Sequence, residues 1–416
     1  MAYVPVAFLL AGMAAYTVLA GADFGAGVWT LLAFGRGRQL VRDQARHAMG
    51  PVWEANHVWL IFVLVVGWTA YPVAFGSIAS TLAAPLLLAA IGIIGRGAAY
   101  ALRSVAESSA AARRAENLLG VSSVITPFAL GTVVGAIATG RVPVGNAAGN
   151  LLTSWLAPAP VLVGVLAVAF SGYLAAVFLA ADSVRYASLP LVAAFRRRAL
   201  AAGLVSGALA LAGLLVMRGS GLDLTRGTAL ALVCVSGVAG LATLLLCWRS
   251  RFGWARLTAT LAVAAVVAGW AAAQAPRFLP GMTVTQAAAG RSTLVALVIA
   301  VACGSLVLIP ALVLLFTLFL RGQLDTPGAG HSRAAGPAAG GATEPGAASS
   351  AGPTDTITAA GRVAGPAWQV AAAAGLVAGA GLLVFTDAAW THVLGVAGLL
   401  VCAVAAFLLA VAAPDD

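Results

Sequence analysis

Residues 4–33 read VPVAFLLAGMAAYTVLAGADFGAGVWTLLA, an apolar run long enough to cross a lipid bilayer as one helix. Asp23 is the only side chain in this run that carries a formal charge at neutral pH. Similar runs recur along the chain, whose 416 residues are 62% apolar and only 9% charged. An average soluble protein is roughly 25% charged. The composition therefore excludes a soluble globular protein and predicts an integral membrane protein.

We expect nine membrane-spanning helices followed by a different kind of sequence. The nine apolar runs lie near residues 4–33, 52–73, 79–102, 119–139, 159–182, 199–217, 228–247, 257–275 and 293–320. Residues 322–365 are rich in Gly, Ala, Pro, Ser and Thr, which is typical of a flexible linker, and two more apolar runs follow it. The predicted fold class is all-α. It comprises a polytopic nine-helix membrane domain at 1–321, a cytoplasmic linker at 322–365 and a C-terminal transmembrane hairpin at 366–416.

A faint internal repeat suggests how the nine helices are grouped. Residues 16–23 (YTVLAGAD) and 173–182 (YLAAVFLAAD) each place a tyrosine and then an aspartate toward the same end of a span. This placement fits two four-helix units plus one helix. Ala- and Leu-rich helices also resemble one another without any repeat, so both interpretations stay open.

The arginines predict the orientation of the chain. If the N-terminus is outside, the cytoplasmic loops hold fourteen arginines and the outer loops hold five. The cytoplasmic set is Arg36, Arg38, Arg42, Arg46, Arg103, Arg113, Arg114, Arg185, Arg196, Arg197, Arg198, Arg249, Arg251 and Arg256. The positive-inside rule therefore places the N-terminus outside and the linker and C-terminus in the cytoplasm. The first run has no basic leader and spans fully, so we expect a membrane helix and no cleaved signal peptide.

We expect neither nucleic-acid binding by the arginines nor a metal or redox role for the cysteines. The net charge of +10 is scattered over short loops without a basic stripe interleaved with aromatic residues, so the chain has no nucleic-acid-binding pattern. The four cysteines lie inside or at the ends of apolar runs with no CxxC spacing, so we expect no metal or redox role for them.

Ionisable side chains inside the membrane are the candidate functional residues, since each costs about 2.5–3.5 kcal/mol at a helix centre. Asp23 lies in Gly21–Gly27 (GADFGAG), where three glycines let another helix approach closely and hide the carboxylate from lipid. In the third span, Arg96 needs a counter-charge, which Glu54 or Asp23 could supply. The alternative is that Arg96 extends its head to the cytoplasmic surface. For Asp182, beside Arg185, we expect ordinary solvation at a helix end.

The second span begins with residues 50–60, GPVWEANHVWL. Glu54 and His57 are three residues apart and share a helix face, and a carboxylate next to an imidazole can pass a proton. Asp23, Glu54 and His57 therefore form a candidate proton route from the cytoplasm. Glu54 could instead be a helix-end anchor paired with Arg46, and the sequence leaves both interpretations open. The residues assigned to structural or ion-pairing roles are Arg96, Trp53, Asn56 and Trp59.

We expect no metal or haem on this chain. His57 is the histidine placed at depth in the membrane, and an axial haem site of the bis-His or His/Met kind needs a second ligand. The other histidines, His47, His331 and His392, fall in predicted loops or at a helix end.

These motifs resemble subunit II of the cytochrome bd-type quinol oxidases. Residues 22–27 (ADFGAG) resemble that family's GFDLGVG stretch, and residues 51–60 resemble its PVWDGNEVWL stretch. The resemblance continues through 67–72 (GWTAYP), through Arg96 with Tyr100 and Arg103, and through 308–310 (LIP). It covers about residues 1–321, and the first hundred residues carry most of its specificity.

The resemblance implies a haem-free subunit in a bacterial cell membrane, paired with a homologous subunit I. Subunit I would hold the b haems, haem d and the quinol-oxidising loop. The complex would reduce oxygen to water, taking up protons inside and oxidising quinol outside, and Glu54 would lie on the proton route. Whether a structural quinone or a lipid also occupies the nine-helix body is left open.

The sequence departs from the family at three positions and leaves two other functions open. Ala20 stands where the family often has a second aspartate, His57 where it commonly has Glu or Gln, and Ala55 where it commonly has Gly. The alternatives are a proton-coupled secondary transporter and a purely structural partner. Transporters usually have broken helices around a central polar site. The polar residues here instead cluster at one membrane face.

Overall fold

A computed structural model describes residues 1–33, 38–104, 109–185, 188–219 and 222–320. Within these ranges it leaves out the side chains at 38, 46–55, 103, 104, 109, 185, 309, 312, 313 and 315–320. The predicted linker and C-terminal hairpin lie outside the described residues, so both stay predictions. Contacts divide the chain into two units, Met1–Ile299 and Ala300–Asp416.

The described chain is almost entirely helical, in agreement with the predicted fold class. Its helices are α1 Val4–Leu31, α2 Arg38–Ala70, α3 Pro72–Thr81, α4 Ala83–Ser104, α5 Ser109–Ala138, α6 Pro158–Arg185, α7 Leu189–Met217, α8 Gly227–Trp248, α9 Phe252–Gln274, α10 Val284–Ala287 and α11 Arg291–Leu320. Within the described ranges, eight are long and apolar enough to cross a membrane: α1, α4, α5, α6, α7, α8, α9 and α11. The apolar part of α2, Asn56–Ala70, is shorter.

Several helices extend beyond the predicted spans on the side with many arginines. Helix α2 begins at Arg38 where the sequence predicts 52, α5 at Ser109 where it predicts 119, and α7 at Leu189 where it predicts 199. Hydropathy detects only the part of a helix that lies in hydrocarbon. Ala, Arg and Glu have good helix propensity, so the same helices can continue past the apolar segment.

The opposite ends of the helices carry small elements that the hydropathy pattern does not predict. Pro72 begins the short helix α3, where its missing N–H is harmless at the first turn. Strands β1 (Arg277–Leu279) and β2 (Met282–Thr283) pair antiparallel before α10. The Phe278 ring lies 4.8 Å from the ring of buried Tyr71. This contact holds the hairpin against the turn between α2 and α3.

Helices α1 and α6 lie side by side at the centre of the first unit. Helix α1 packs on α2, α5, α6 and α9, and α6 packs on α1, α5, α7 and α9. The largest described cluster of buried apolar side chains is built mainly from α1, α6, α7 and α9. The outward faces remain apolar, and Ile94, Leu204 and Leu241 are each at least 64% exposed, as expected for lipid-facing helices. The grouping into two four-helix units stays a prediction.

Close contact between α1 and α6 depends on Gly25. A Cβ atom at this position would lie 1.8 Å from the carbonyl oxygen of Ser171 and 2.7 Å from the Cβ atom of Ala175. Both obstacles belong to a rigid helix. Small residues therefore set the distance between the two central helices.

We predict that Gly25→Ala lowers the thermal stability of the assembled protein, because α6 must move away and overpacking costs about 1–3 kcal/mol. Gly207→Ala is the matched control, since a Cβ atom at Gly207 meets nothing within 4 Å. It should leave the melting temperature unchanged or raise it, because Ala favours helix over Gly. Thermal unfolding of both variants in detergent measures the difference. Equal melting temperatures would show that the α1–α6 contact does not need a glycine.

Candidate functional site

A buried ion pair joins α1 to α4. Nη2 of Arg96 lies 2.5 Å from Oδ1 of Asp23, and Nε of Arg96 donates to Oδ2 at 3.1 Å. Both side chains are only 2% exposed. Two parallel hydrogen bonds of this kind are the strongest geometry available to an arginine and a carboxylate. Of the partners that the sequence leaves open for Arg96, the structure identifies Asp23.

The guanidinium of Arg96 is enclosed on its remaining sides. Its Cζ lies 5.2 Å from the Phe24 ring centre and 5.4 Å from the Tyr100 ring centre, within the range of cation–π attraction. Nη1 donates to the hydroxyl of Ser123 on α5. A Cβ atom at Gly27 would lie 2.0 Å from that hydroxyl oxygen. The glycines around Asp23 therefore make room for the ion pair and exclude lipid from it, as the sequence predicts.

A small cavity lies beside the carboxylate of Asp23. Its volume is about 10 Å³, close to the minimum for one water molecule. Asn56 donates from Nδ2 to Oδ2 of Asp23 at 3.3 Å, and Oδ1 of Asn56 is buried without a hydrogen-bond partner in the described part of the chain. The lining residues are Tyr16, Asp23, Phe24, Asn56, His57, Ile93 and Arg96. Polar groups from α1, α2 and α4 thus converge on one point.

A second cavity lies nearer the surface, beside an ion pair between α2 and α5. Nη1 of Arg42 donates to Oε2 of Glu116 at 2.9 Å, and the two side chains are 18% and 13% exposed. Tyr100 lines this cavity, and its hydroxyl also donates to Oδ1 of Asp23 at 3.4 Å. The Tyr100 side chain therefore connects the Arg42–Glu116 region to Asp23.

A third ion pair joins α6 to α9. Nη2 of Arg256 donates to Oδ1 of Asp182 and, at 2.7 Å, to the carbonyl oxygen of Phe178. The expectation that Asp182 is simply solvated at a helix end is therefore wrong. Arg256 reaches Asp182 from a helix that is distant in sequence, and a reading along one helix cannot detect such a neighbour.

The structure brings some of the predicted residues together and leaves others untested. Asp23, Asn56, His57 and Arg96 share one cavity. Trp59 is half-buried and packs edge-on against Phe62, with 6.1 Å between the ring centres. The side chains of Trp53 and Glu54 lie outside the described residues, so their roles stay predictions.

The sequence did not assign Tyr16, Tyr100, Ser123 or Glu116 to the site. Tyr16 lies seven residues before Asp23, which places both on one face of α1, and this spacing is a usable signal. Ser123 and Glu116 have no comparable signal, since each faces the site from another helix. Within the described residues, no group of three or more His, Cys, Asp or Glu side chains could hold a metal ion.

Comparison with known proteins identifies the family. The sequence model for "Cytochrome bd terminal oxidase subunit II" matches residues 1–319, well over half of the chain. The chain belongs to this family. It is also 28% identical over 131 residues to the cytochrome bd ubiquinol oxidase subunit 2 of Bacillus subtilis (strain 168). That alignment covers 32% of this chain and 37% of the relative, well under two thirds of the relative's length.

The fold agrees with that of a solved structure. The bd oxidase from Geobacillus thermodenitrificans contains a chain that matches this one with a TM-score of 0.65 at 23% identity. The match covers 77% of this chain and 98% of that chain. Family and fold together give no support to the alternative of a secondary transporter. The segments of α1, α2 and α4 that line the Asp23 cavity all lie within the residues that match the family.

We predict that Asp23→Asn strongly destabilises the protein, because it leaves the guanidinium of Arg96 buried without a counter-charge. Breaking a buried pair in this way costs about 3–5 kcal/mol. Thermal unfolding in detergent measures the loss. Removing both charges, with Asp23→Leu and Arg96→Met together, should be less harmful than Asp23→Asn alone.

The matched control is the exposed pair of Asp223 and Arg226, whose side chains are 50% and 87% exposed. Asp223→Asn should leave the melting temperature unchanged because water already solvates both charges. An Asp23→Asn protein as stable as the wild type would contradict the structural role of the buried pair.

Proposed function

We propose that this chain is the haem-free membrane subunit of a quinol:oxygen oxidoreductase of the cytochrome bd type. In this proposal it assembles with a haem-bearing subunit I and supplies cytoplasmic protons for the reduction of oxygen to water. The observation that carries the proposal is the cluster of buried polar side chains around Asp23. Such groups are costly in a membrane and are retained where they serve a function. Family membership supplies the class of reaction.

The position of the cluster supports uptake from the cytoplasm. Asp23 and Arg96 lie toward the ends of α1 and α4, on the side of the membrane domain where most of the arginines are found. The positive-inside rule assigns this side to the cytoplasm. Glu116 and Arg42 are partly exposed there, and Tyr100 links them to Asp23. Protons could therefore enter near Glu116 and move toward α2.

The residues of the route have different tasks in this proposal. Arg96 stays protonated in proteins, so in this proposal its guanidinium holds the carboxyl group of Asp23 in place as a hydrogen-bond acceptor. Glu54 and His57, three residues apart on α2, are the groups that gain and lose protons. His57 lines the cavity, whose volume suffices for about one water molecule. The unpartnered Oδ1 of Asn56 could accept a hydrogen bond from that water.

The geometry also bears on where the cofactors lie. A cavity of about 10 Å³ beside His57 is far too small for a porphyrin. The cavity lining offers no second histidine or methionine as an axial ligand. In this proposal the b haems and haem d belong to the partner subunit, and quinol oxidation occurs at the outer face, as the family resemblance implies. Proton uptake inside and release outside would make turnover electrogenic without a pump.

We predict that Glu54→Gln leaves assembly intact but slows quinol-dependent oxygen consumption by a factor on the order of a hundred, the usual scale for loss of a proton-transferring group. Glu54→Asp keeps a carboxylate and should retain most of the activity. Rates are compared at equal haem content, from the optical spectrum of the complex. Equal rates in the wild type, Glu54→Gln and Glu54→Asp would remove Glu54 from the proton route and favour the anchor interpretation.

We also predict that the chain, tagged and extracted from its own membrane, co-purifies with a haem-bearing membrane subunit. The isolated complex should consume oxygen when quinol is added. The chain separated from its partner should show no Soret band. Purification of the chain alone, together with movement of a solute in vesicles, would contradict the oxidase assignment. A stoichiometric haem signal that disappears in His57→Ala would reverse the assignment of haem to the partner.

A further inference from the structure

Arg198 on α7 is a half-buried arginine whose guanidinium lies against two aromatic rings. Its Cζ lies 5.4 Å from the Trp29 ring centre and 5.1 Å from the Phe195 ring centre. Its Nη1 is buried and has no hydrogen-bond partner among the described residues. Arg42, Arg96 and Arg256 each pair with a carboxylate. Arg198 is thus a partly desolvated cation without an anion in the described part of this chain.

The neighbouring charges make this arrangement less favourable. Arg196 and Arg197 precede Arg198 directly, and Arg197 repels it. Asp182, on the adjacent helix α6, is already bound to Arg256. Burying an unpaired charge is costly, so a guanidinium held against two aromatic rings indicates an anion from outside the chain.

The outer face of α7 indicates where that anion comes from. Arg197, Ala201, Leu204 and Val205 are exposed and spaced by four, three and one residues, so they form one stripe on the helix. Leu204 and Val205 are 64% and 54% exposed. The stripe changes from charged to apolar at the position where the sequence predicts entry into the membrane. A phospholipid has the matching arrangement, with a charged phosphate at the membrane surface and apolar acyl chains in the membrane interior.

We propose that Arg198, with Arg197 beside it, binds the phosphate of an anionic phospholipid whose acyl chains lie along Leu204 and Val205. The planar guanidinium can donate two parallel hydrogen bonds to phosphate oxygens. The ring of Trp29 packs against the guanidinium. Trp29 is held in place because its Nε1 donates to the carbonyl oxygen of Gly172 at 2.8 Å. Aromatic side chains of this kind are enriched at the headgroup level of membranes. This site is separate from the proposed proton route.

The test uses the intact complex, delipidated and titrated with phosphatidylglycerol, and native mass spectrometry counts the bound lipid. Arg198→Gln should weaken binding about tenfold, the effect of losing a charge-assisted hydrogen bond. Arg198→Lys keeps the positive charge but loses the planar guanidinium, so its affinity for phosphatidylglycerol should lie between those of the wild type and Arg198→Gln. Arg249→Gln is the matched control, since Arg249 is exposed at the end of α8 on the same predicted side. It should bind like the wild type.

Further titrations distinguish an anionic phospholipid from free phosphate as the ligand of Arg198. Inorganic phosphate and phosphatidylcholine, titrated in the same way, should bind at least several-fold more weakly than phosphatidylglycerol. If Arg198→Gln fails to assemble, Arg197→Gln on the exposed stripe should still weaken phosphatidylglycerol binding several-fold. Unchanged binding in these variants overturns the proposal. The proposal is also overturned if inorganic phosphate binds as tightly as phosphatidylglycerol, or if a carboxylate of a companion chain pairs with Arg198.

Discussion

The ion pair of Asp23 and Arg96 is the constraint on which the centre of this protein depends. Two opposite charges in a medium of low dielectric must be in contact and must have their remaining hydrogen bonds satisfied. The fold meets this demand with groups from four helices: α1 and α4 supply the charges, α2 supplies Asn56, and α5 supplies Ser123. The relative positions of these helices are therefore fixed by polar chemistry as well as by apolar packing.

Small residues allow this arrangement to exist inside a membrane. Lipid tails are as apolar as the helix surfaces, so apolar burial alone does not drive helices together and close packing must contribute. Gly25 brings the backbones of α1 and α6 into contact, and Gly27 leaves space for the Ser123 hydroxyl. Both glycines follow Asp23 within about one turn of α1. The same short segment thus supplies the charge and the packing that shields it.

The distribution of polar groups differs between the two ends of the helices. The ion pairs Arg42–Glu116, Asp23–Arg96 and Asp182–Arg256, whose side chains are buried or half-buried, all lie toward the ends where most arginines are found, whereas the exposed pair Asp223–Arg226 lies at the other end. The other end carries the short hairpin, α10 and the contact of Tyr71 with Phe278. Such an asymmetry suits a subunit that admits protons from one side, and it is consistent with the function we propose. Arg198 lies on the same polar side and serves a different kind of ligand.

In the described part of the chain, the sequence by itself determined the membrane class, the order of the long helices and the burial of Asp23. These properties depend on hydropathy and glycine spacing along a single segment, which are local. Only the tertiary structure decided that Arg96 pairs with Asp23, that Asp182 pairs with Arg256, and that Ser123, Tyr16 and Tyr100 join the site. It also revealed α3, the hairpin and the helical extensions beyond the apolar spans. The physical reason is that an ion pair or a shared cavity depends on which helices pack together. The sequence pattern of one helix does not specify which helix packs against it.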